Sequence, residues 1–267
     1  MNATRPEQPV KGSSEDPKVS VFDTRTFDDY ADLYEFFATV PYRKELETPT
    51  IRYYLGDLSG KRVMDFGCGP GFFSRWLKNQ GADDVVGYDL SKGMIAHAQR
   101  QEAANPQGIR YLFELDDRLK HTFDIVLAIY IIPYISQRDE LSSLLHSFSS
   151  LLKPGGKLIT LPLNPDFNPD PQYYRPYKIA LTEMEPRADG AKVNLHLYHH
   201  PPPYDVDLQT YYWSKQTLEA ALSEAGFSDI FWRSLLTPPQ TVDSETITFL
   251  SPYQRQPHTS IIDCTKL

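Results

Sequence analysis

"VMDFGCGPGFF", residues 63 to 73, is a short apolar run ending in an aspartate, followed by three glycines in five positions and an aromatic start to a helix. Strand, glycine loop and helix in succession bring backbone N–H groups and a helix N-terminus against a nucleotide-like ligand. The spacing discriminates among such ligands. A hydride-carrier loop is spaced G-x-G-x-x-G, whereas here the third glycine comes one residue early and position 72 is Phe. A phosphate loop closes on Gly-Lys-Ser/Thr, and the first lysine after this loop is Lys78. Asp65 at the strand end would repel a pyrophosphate but suits a ligand carrying an amino group and a sulfonium. "VVGYDLS" ends the next strand in Asp89, twenty-four residues after Asp65 and placed where an acid reads a ribose diol. A tight structural turn would account for the loop alone, but not for its pairing with Asp89.

Outward from the loop, hydrophobic period sorts the chain. "FDDYADLYEFFATV" has apolar residues at Phe27, Tyr30, Ala31, Leu33, Tyr34 and Phe37, which predicts an amphipathic helix; a second runs from about 44 to Gly56. "RVMDF", "DDVVGYDL", "IRYLFEL" and the almost wholly apolar "FDIVLAIYII" read as strands, the last as a central one covered on both faces. Helices are expected from Gly71 to Asn79, from the capping Ser91 to Asn105 and over 138–151, and "LLKPGGKLITLPL" sets a Pro-Gly-Gly turn before a fifth strand. Five strand–helix alternations between residues 61 and 162 predict a parallel, doubly wound sheet. The rhythm breaks over 163–210, rich in Pro, Tyr, His and Asp, where only "AKVNLHLYHH" alternates like a strand. It resumes with "SKQTLEAALSEAGF" as a helix capped by Ser214, "DIFWRSLL" as a strand, a short helix near 243–252 and a last strand, "TSIIDCTK".

These stretches, in order and at these spacings, resemble the motifs of the class I S-adenosylmethionine-dependent methyltransferases: "VMDFGCGPGFFS", "VVGYDLSKGMIAHA", "FDIVLAIYIIPYI" and "LLKPGGKLIT". The resemblance implies a Rossmann-like sheet of seven strands, parallel except the last, with the methyl donor S-adenosylmethionine at its carboxyl edge and S-adenosylhomocysteine as product. It also implies roles. Asp65 and the backbone at Gly67 and Gly69 would face the methionine part, Asp89 the ribose, and Leu90 and Met94 the adenine, with Cys68 and Gly71 of the loop, Ala128 on the fourth strand and Tyr34 on the first helix completing the donor site. An acid just after the third strand would hold the adenine amino group; "YLFELDD" has Leu115 in that register, so Asp116, or failing it Asp117, takes the role. The pattern is also similar to the toxoflavin N-methyltransferases, which implies transfer to N or O of a small, (hetero)aromatic natural product.

The acceptor side follows from what the resemblance implies for Tyr130 and the first helix, and from residue types elsewhere. Tyr130 ends the central strand and would face the transferring methyl. Tyr30 and Tyr34 lie on the first helix, one of them expected to close over the ligands. In "HLYHH", His196 and His200 share one strand face and offer a general base, while no third ligand at short spacing supports a metal. Tyr198, Asn164 and Arg175 are candidates to hold the acceptor. "NPDF" and "IIPY" do not fall where base-methylating enzymes carry their N-P-P-F or D-P-P-Y signature, directly after the fourth strand.

Composition narrows the partners. A net charge of −8 without long Lys/Arg blocks argues against nucleic acid, and no apolar run is long enough to span a bilayer. Two cysteines, Cys68 and Cys264, are too few for a disulfide framework, so a cytoplasmic monomer or homodimer acting on a small molecule is expected. The expected organisation is a disordered leader (1–20), a helical lid (21–56), a donor-binding core (57–162), a substrate lid (163–210) and a C-terminal completion of the sheet (211–267). The rival readings are a sensor or accessory protein that binds the donor without catalysis, and a methyltransferase of macromolecules.

Overall fold

The computed structural model describes residues 30–198, 205–238 and 241–267. Strands β1 (Arg62–Phe66), β2 (Asp84–Tyr88), β3 (Arg110–Leu112), β4 (Phe123–Ile129), β5 (Leu152–Leu161), β9 (Phe227–Arg233) and β10 (Ile261–Lys266) form one sheet in the order β3-β2-β1-β4-β5-β10-β9. Only β10 runs against its neighbours, antiparallel to both β5 and β9. The sheet is therefore seven-stranded, Rossmann-like and parallel except for the last strand.

Both faces are covered because successive strand residues point to opposite sides. Val63, Val85, Ile125, Leu127 and Ile159 pack with Leu77 of α3 (Phe72–Asn79) and Ile95 and Ala98 of α4 (Lys92–Ala104). Met64, Val86, Val126 and Leu158 pack on the other face with Leu141, Leu145 and Phe148 of α5 (Arg138–Leu151) and Leu218 and Leu222 of α6 (Lys215–Glu224). Each of these side chains larger than alanine contributes about 1.5–3 kcal/mol by leaving water. Serine caps fix two helix starts: Ser91 Oγ accepts the Met94 N–H at 3.1 Å and Ser214 Oγ the Thr217 N–H at 3.3 Å.

Two strands depart from the sequence reading. The third ends at Leu112, since Phe113 and Leu115 are exposed and have no sheet face to cover. The Pro-Gly-Gly of "LLKPGGKLIT" lies within β5 and is accommodated as an irregularity, the pairing with β4 shifting between Phe123 and Ile125.

Two segments cap the carboxyl edge of the sheet. At the N-terminal side, α1 (Ala31–Ala38) is followed by a π turn, Arg43–Glu47, that runs into α2 (Thr48–Leu55). Downstream, a three-stranded antiparallel sheet is made of β6 (Ile179–Glu183), β7 (Lys192–Tyr198) and β8 (Asp205–Tyr211). Sequence period shows β7 alone, yet β8 alternates too, burying Val206, Leu208 and Thr210. Leu181, Val193, Leu197 and Leu208 share one core with Leu33, Phe37 and Leu46 of the N-terminal helices, so the two caps are packed together. The C-terminal helix, α7 (Ser244–Arg255), sends Tyr253 into that core. The leader 1–20, Phe27 and His200 lie outside the described residues. No helix among those described is long and apolar enough to cross a membrane.

Candidate functional site

The loop after β1 is tied to the end of β2 before any ligand is considered. Gly67 and Cys68 both donate their N–H to the Tyr88 carbonyl, at 2.6 and 2.9 Å, and Gly69 N–H donates to Asp89 Oδ2 at 2.8 Å. The other Asp89 oxygen accepts the Ser91 N–H at 2.8 Å. Asp89 thus fixes the loop and also lines the cavity beside it. Gly67 has φ +71, and a Cβ there would stand 2.2 Å from Ile131 Cδ1; the backbone meets the cavity at this point because no side chain fits.

That cavity, of about 320 Å³, lies over the carboxyl ends of β1, β2 and β4. Its walls include Asp65, Gly67, Cys68, Gly69, Asp89, Leu90 and Met94, all singled out by the sequence, together with Tyr34 and Tyr130. Asp65 is 2% exposed and accepts the Ser74 hydroxyl at 2.5 Å. Burial raises its pKa to about 7; the Ser74 hydrogen bond opposes the rise and the nearby Asp89 charge adds to it. Cys68 is a buried free thiol whose pKa burial raises further, which makes it inert.

Several expected residues are elsewhere. Gly71 does not line the cavity; it caps α3, and the space beside it is taken by the Tyr111 hydroxyl. Ala128 is buried one residue too early in β4, its carbonyl accepting from Thr160 Oγ1, and Ile129, Tyr130 and Ile131 reach the cavity instead. Asp116 faces solvent, caps a short 3-10 turn through the Arg118 N–H and pairs with the Arg118 guanidinium at 2.6 Å, which lowers its pKa to about 2. Asp117 pairs with Lys120 at 2.7 Å, and the residue of this segment in the cavity wall is Leu115.

The downstream candidates separate in the same way. Leu195 and Leu197 turn inward, so by the strand's period of two His196 turns outward, where its Nδ1 meets Asp207 Oδ1 at 2.9 Å. Tyr198 stands beside His196, with the Arg175 guanidinium 5.5 Å from its ring centroid and outside the cavity. Asn164 is tied to the C-terminal segment and does not line the main cavity: its side chain donates to the Pro257 carbonyl and its backbone N–H to the His258 carbonyl, both at 2.9 Å. Tyr30 packs on the core without reaching the cavity, whereas Tyr34 reaches it and meets the Tyr134 hydroxyl at 3.1 Å.

Beyond these tyrosines is a cluster that the sequence did not disclose. A recess of about 30 Å³ abuts the main cavity, and Tyr34, Arg43, Tyr130 and Tyr134 wall both. Tyr130, with a left-handed φ of +59, directs its hydroxyl to Glu47 Oε2 at 2.5 Å. Glu47 Oε1 accepts the Tyr253 hydroxyl at 2.6 Å and the Thr259 hydroxyl at 3.2 Å, and Tyr253 Oη lies 2.7 Å from His258 Nδ1. Arg43 lies 4.3 Å from the Tyr130 ring centroid and its Nε, buried, has no hydrogen-bond partner. Burial raises the Glu47 pKa and, with Arg43 nearby, lowers that of His258 to about 3. No periodicity marks a buried Glu or a lone His; the available signal was Arg43 and Glu47 one turn apart. Among the described residues no His, Cys, Asp and Glu group could hold a metal ion.

A family profile described as a methyltransferase domain matches residues 24–230. The chain is 31% identical over 114 residues to a ubiquinone biosynthesis O-methyltransferase of Alkalilimnicola ehrlichii, covering 41% of this chain and 44% of that one. It is 28% identical over 139 residues to a tRNA U34 carboxymethyltransferase of Idiomarina loihiensis, covering 48% and 41%. The chain thus spans less than half the length of these curated relatives. The crystal structure of the CcbJ methyltransferase from Streptomyces caelestis superposes with a TM-score of 0.63 at 16% identity, covering 92% of this chain and 99% of that one, a likeness of fold.

Proposed function

We propose, from the premise that the chain belongs to the methyltransferase-domain family and is an S-adenosylmethionine-dependent methyltransferase, that its acceptor is an N or O atom of a small, (hetero)aromatic natural product. The observation that carries the reading is the pair of abutting spaces, one beside the glycine loop and one behind it, separated by aromatic side chains. The donor fits the residues present. Gly67 and Gly69 offer backbone where a Cβ at 67 would collide with Ile131, Asp89 has acceptor capacity for a ribose diol, and Leu90, Met94 and Leu115 supply apolar walls for a purine. Asp65, next to the loop, takes the amino group of the methionine part. When bound, the donor supplies a methyl already activated on a sulfonium, so the chain's work is alignment and the exclusion of water.

In this reading the described parts of 21–56 and of the insertion 163–210 enclose the acceptor, and Tyr34, Tyr130 and Tyr134 form the partition at which acceptor and methyl meet. Aromatic rings there also favour the cationic sulfonium. A macromolecular acceptor would need an open basic groove, and the cavity is walled by tyrosines instead. The decisive experiment uses methyl-labelled donor and a metabolite extract, with S-adenosylhomocysteine binding followed by calorimetry. Label is expected in a small aromatic product, and Asp89→Ala is expected to weaken binding by about tenfold or more, the loss of a charge-assisted hydrogen bond. Binding without label transfer would make the chain a sensor, and unchanged affinity of the Asp89 variant would remove the donor assignment.

A further inference from the structure

We propose that the recess behind Tyr130 is an acceptor subsite for an acidic hydroxyl, a phenol or enol, with Arg43 facing the developing oxyanion and His258 Nε2 taking its proton, which Tyr253 relays to Glu47. The inference rests on the small-molecule reading above and specifies its acceptor atom.

The geometry orders the relay. A tyrosine hydroxyl has one proton to give, and Tyr253 Oη has two partners, Glu47 Oε1 at 2.6 Å and His258 Nδ1 at 2.7 Å. With Glu47 ionised, Tyr253 donates to it and accepts from Nδ1–H. That choice leaves Nε2 of a neutral imidazole without a proton, on a ring that lines the recess and whose nitrogens have, among the described residues, Tyr253 as hydrogen-bond partner. Tyr42, Tyr130, Tyr174 and Tyr253 surround the ring, and Arg43 is the charged group beside it. A lasting imidazolium is disfavoured there, by burial and by Arg43. Burial, on the other hand, raises the proton affinity of Glu47. The proton therefore has a route that never leaves charge on His258.

The step balances. The acceptor O–H bond breaks and its proton goes to Nε2, while Nδ1–H passes to Tyr253 and the Tyr253 proton to Glu47. The oxygen forms the bond to the methyl carbon, and the carbon–sulfur electron pair returns to sulfur. At the end Glu47 is a neutral acid and His258 the opposite tautomer. Arg43 decides the acceptor class. Its buried Nε is unpartnered and its closest carboxylate contact, to Glu47 Oε2, is long at 3.9 Å, so the cation attracts an oxyanion and repels a protonated amine. The recess holds about 30 Å³, room for a hydroxyl and not a ring system, so the body of the acceptor extends into the larger cavity.

Two measurements test this on the full chain. Nitrogen-15 spectra of the histidine rings, with His258 assigned by its loss in His258→Gln, are expected to show Nδ1–H and bare Nε2 near neutral pH; an Nε2–H tautomer or an imidazolium overturns the relay. Methyl-labelled donor with 4-methylphenol or 4-nitrophenol at mildly alkaline pH then probes the base, because the second phenol ionises by itself. His258→Gln is expected to lower kcat with 4-methylphenol by about 100-fold and with 4-nitrophenol only a few-fold, and Tyr253→Phe to reproduce the pattern more weakly. Equal losses on both phenols make His258 merely structural. Wild-type protein that binds S-adenosylhomocysteine yet methylates neither phenol sinks this inference while the extract assay still decides the small-molecule reading.

Discussion

Glu47 and Tyr130 stand 83 positions apart in the chain, and a 2.5 Å hydrogen bond joins them inside the protein. It ties the π turn before α2 to the residue after β4, and so couples the N-terminal cap to the edge of the sheet where the cavity and the recess abut. Tyr130 holds a left-handed backbone conformation, which costs a non-glycine residue about 1–2 kcal/mol. Its side chain offsets that strain through the bond to Glu47, the stack on His258 at 5.8 Å and the Arg43 contact.

Tyr130→Phe removes only the hydroxyl and leaves Glu47 Oε2 without its short donor. The expected cost is about 1–3 kcal/mol, the penalty for a buried acceptor deprived of its partner. Urea denaturation followed by fluorescence measures it. A midpoint equal to wild type would show that the bond does not contribute, and the cap would then owe its position to apolar packing alone.

Two glycines of the loop make opposite predictions about space. Gly67→Ala meets Ile131 at 2.2 Å and has φ +71, whereas Gly69→Ala has φ +53 but nothing within 4 Å. Both should lose about 1–2 kcal/mol of stability from backbone strain, and only Gly67→Ala should distort the wall at Ile131 and weaken S-adenosylhomocysteine binding by about tenfold or more. Ile131→Ala deletes both Cδ1 and Cγ1, which a Cβ at 67 would meet at 2.2 and 2.9 Å, so the double variant Gly67→Ala/Ile131→Ala should regain much of the affinity lost. Equal binding defects in the two single alanine variants would contradict a steric role for Gly67.

Donor binding should depend on pH through Asp65. Its pKa stands at about 7 in the ligand-free protein, chiefly from burial, and a cationic amino group nearby favours the ionised form. Affinity should therefore fall as pH drops below about 7, with a proton released on binding near neutrality. Calorimetry in buffers of different ionisation enthalpy counts that proton. Asp65→Asn should bind more weakly and release none.

The wall of the main cavity beside the glycine loop was legible because it is local. Asp65, Gly67, Gly69, Asp89, Leu90 and Met94 follow two strand ends, and the strand–loop–helix pattern that predicts the sheet also places them. Asp116 was misplaced because a one-residue register decides between cavity and solvent, and its bond to Arg118 belongs to a turn that propensity does not reveal. His196 was misjudged for want of the facing strands: Leu195 and Leu197 take the inner face once β6 and β8 flank β7. Arg43, Glu47, Tyr253 and His258 come together only through tertiary packing of two distant segments, and a polar residue in an amphipathic helix reads as solvent-facing until its neighbours are known.

Asp65 and His258 make opposed contributions to acid stability. His258 is lowered from 6.5 to about 3 on folding, so its contribution is fully present above 6.5 and is lost as pH falls toward 3. Asp65 is raised from 3.8 to about 7, so its contribution is present below 3.8 and is lost as pH rises through 7. Between those limits the unfolded chain binds one more proton at His258 and one fewer at Asp65, and the two slopes cancel. Removing one should expose the other. Relative to wild type, Asp65→Asn should lose stability as pH falls from about 6.5 to 4, and His258→Gln should gain it, each at up to about 1.4 kcal/mol per pH unit. Denaturation midpoints at several pH values give both difference curves. A flat curve for His258→Gln would mean that the imidazole is not held neutral in the folded protein, and the proton route through Tyr253 would lose its physical basis.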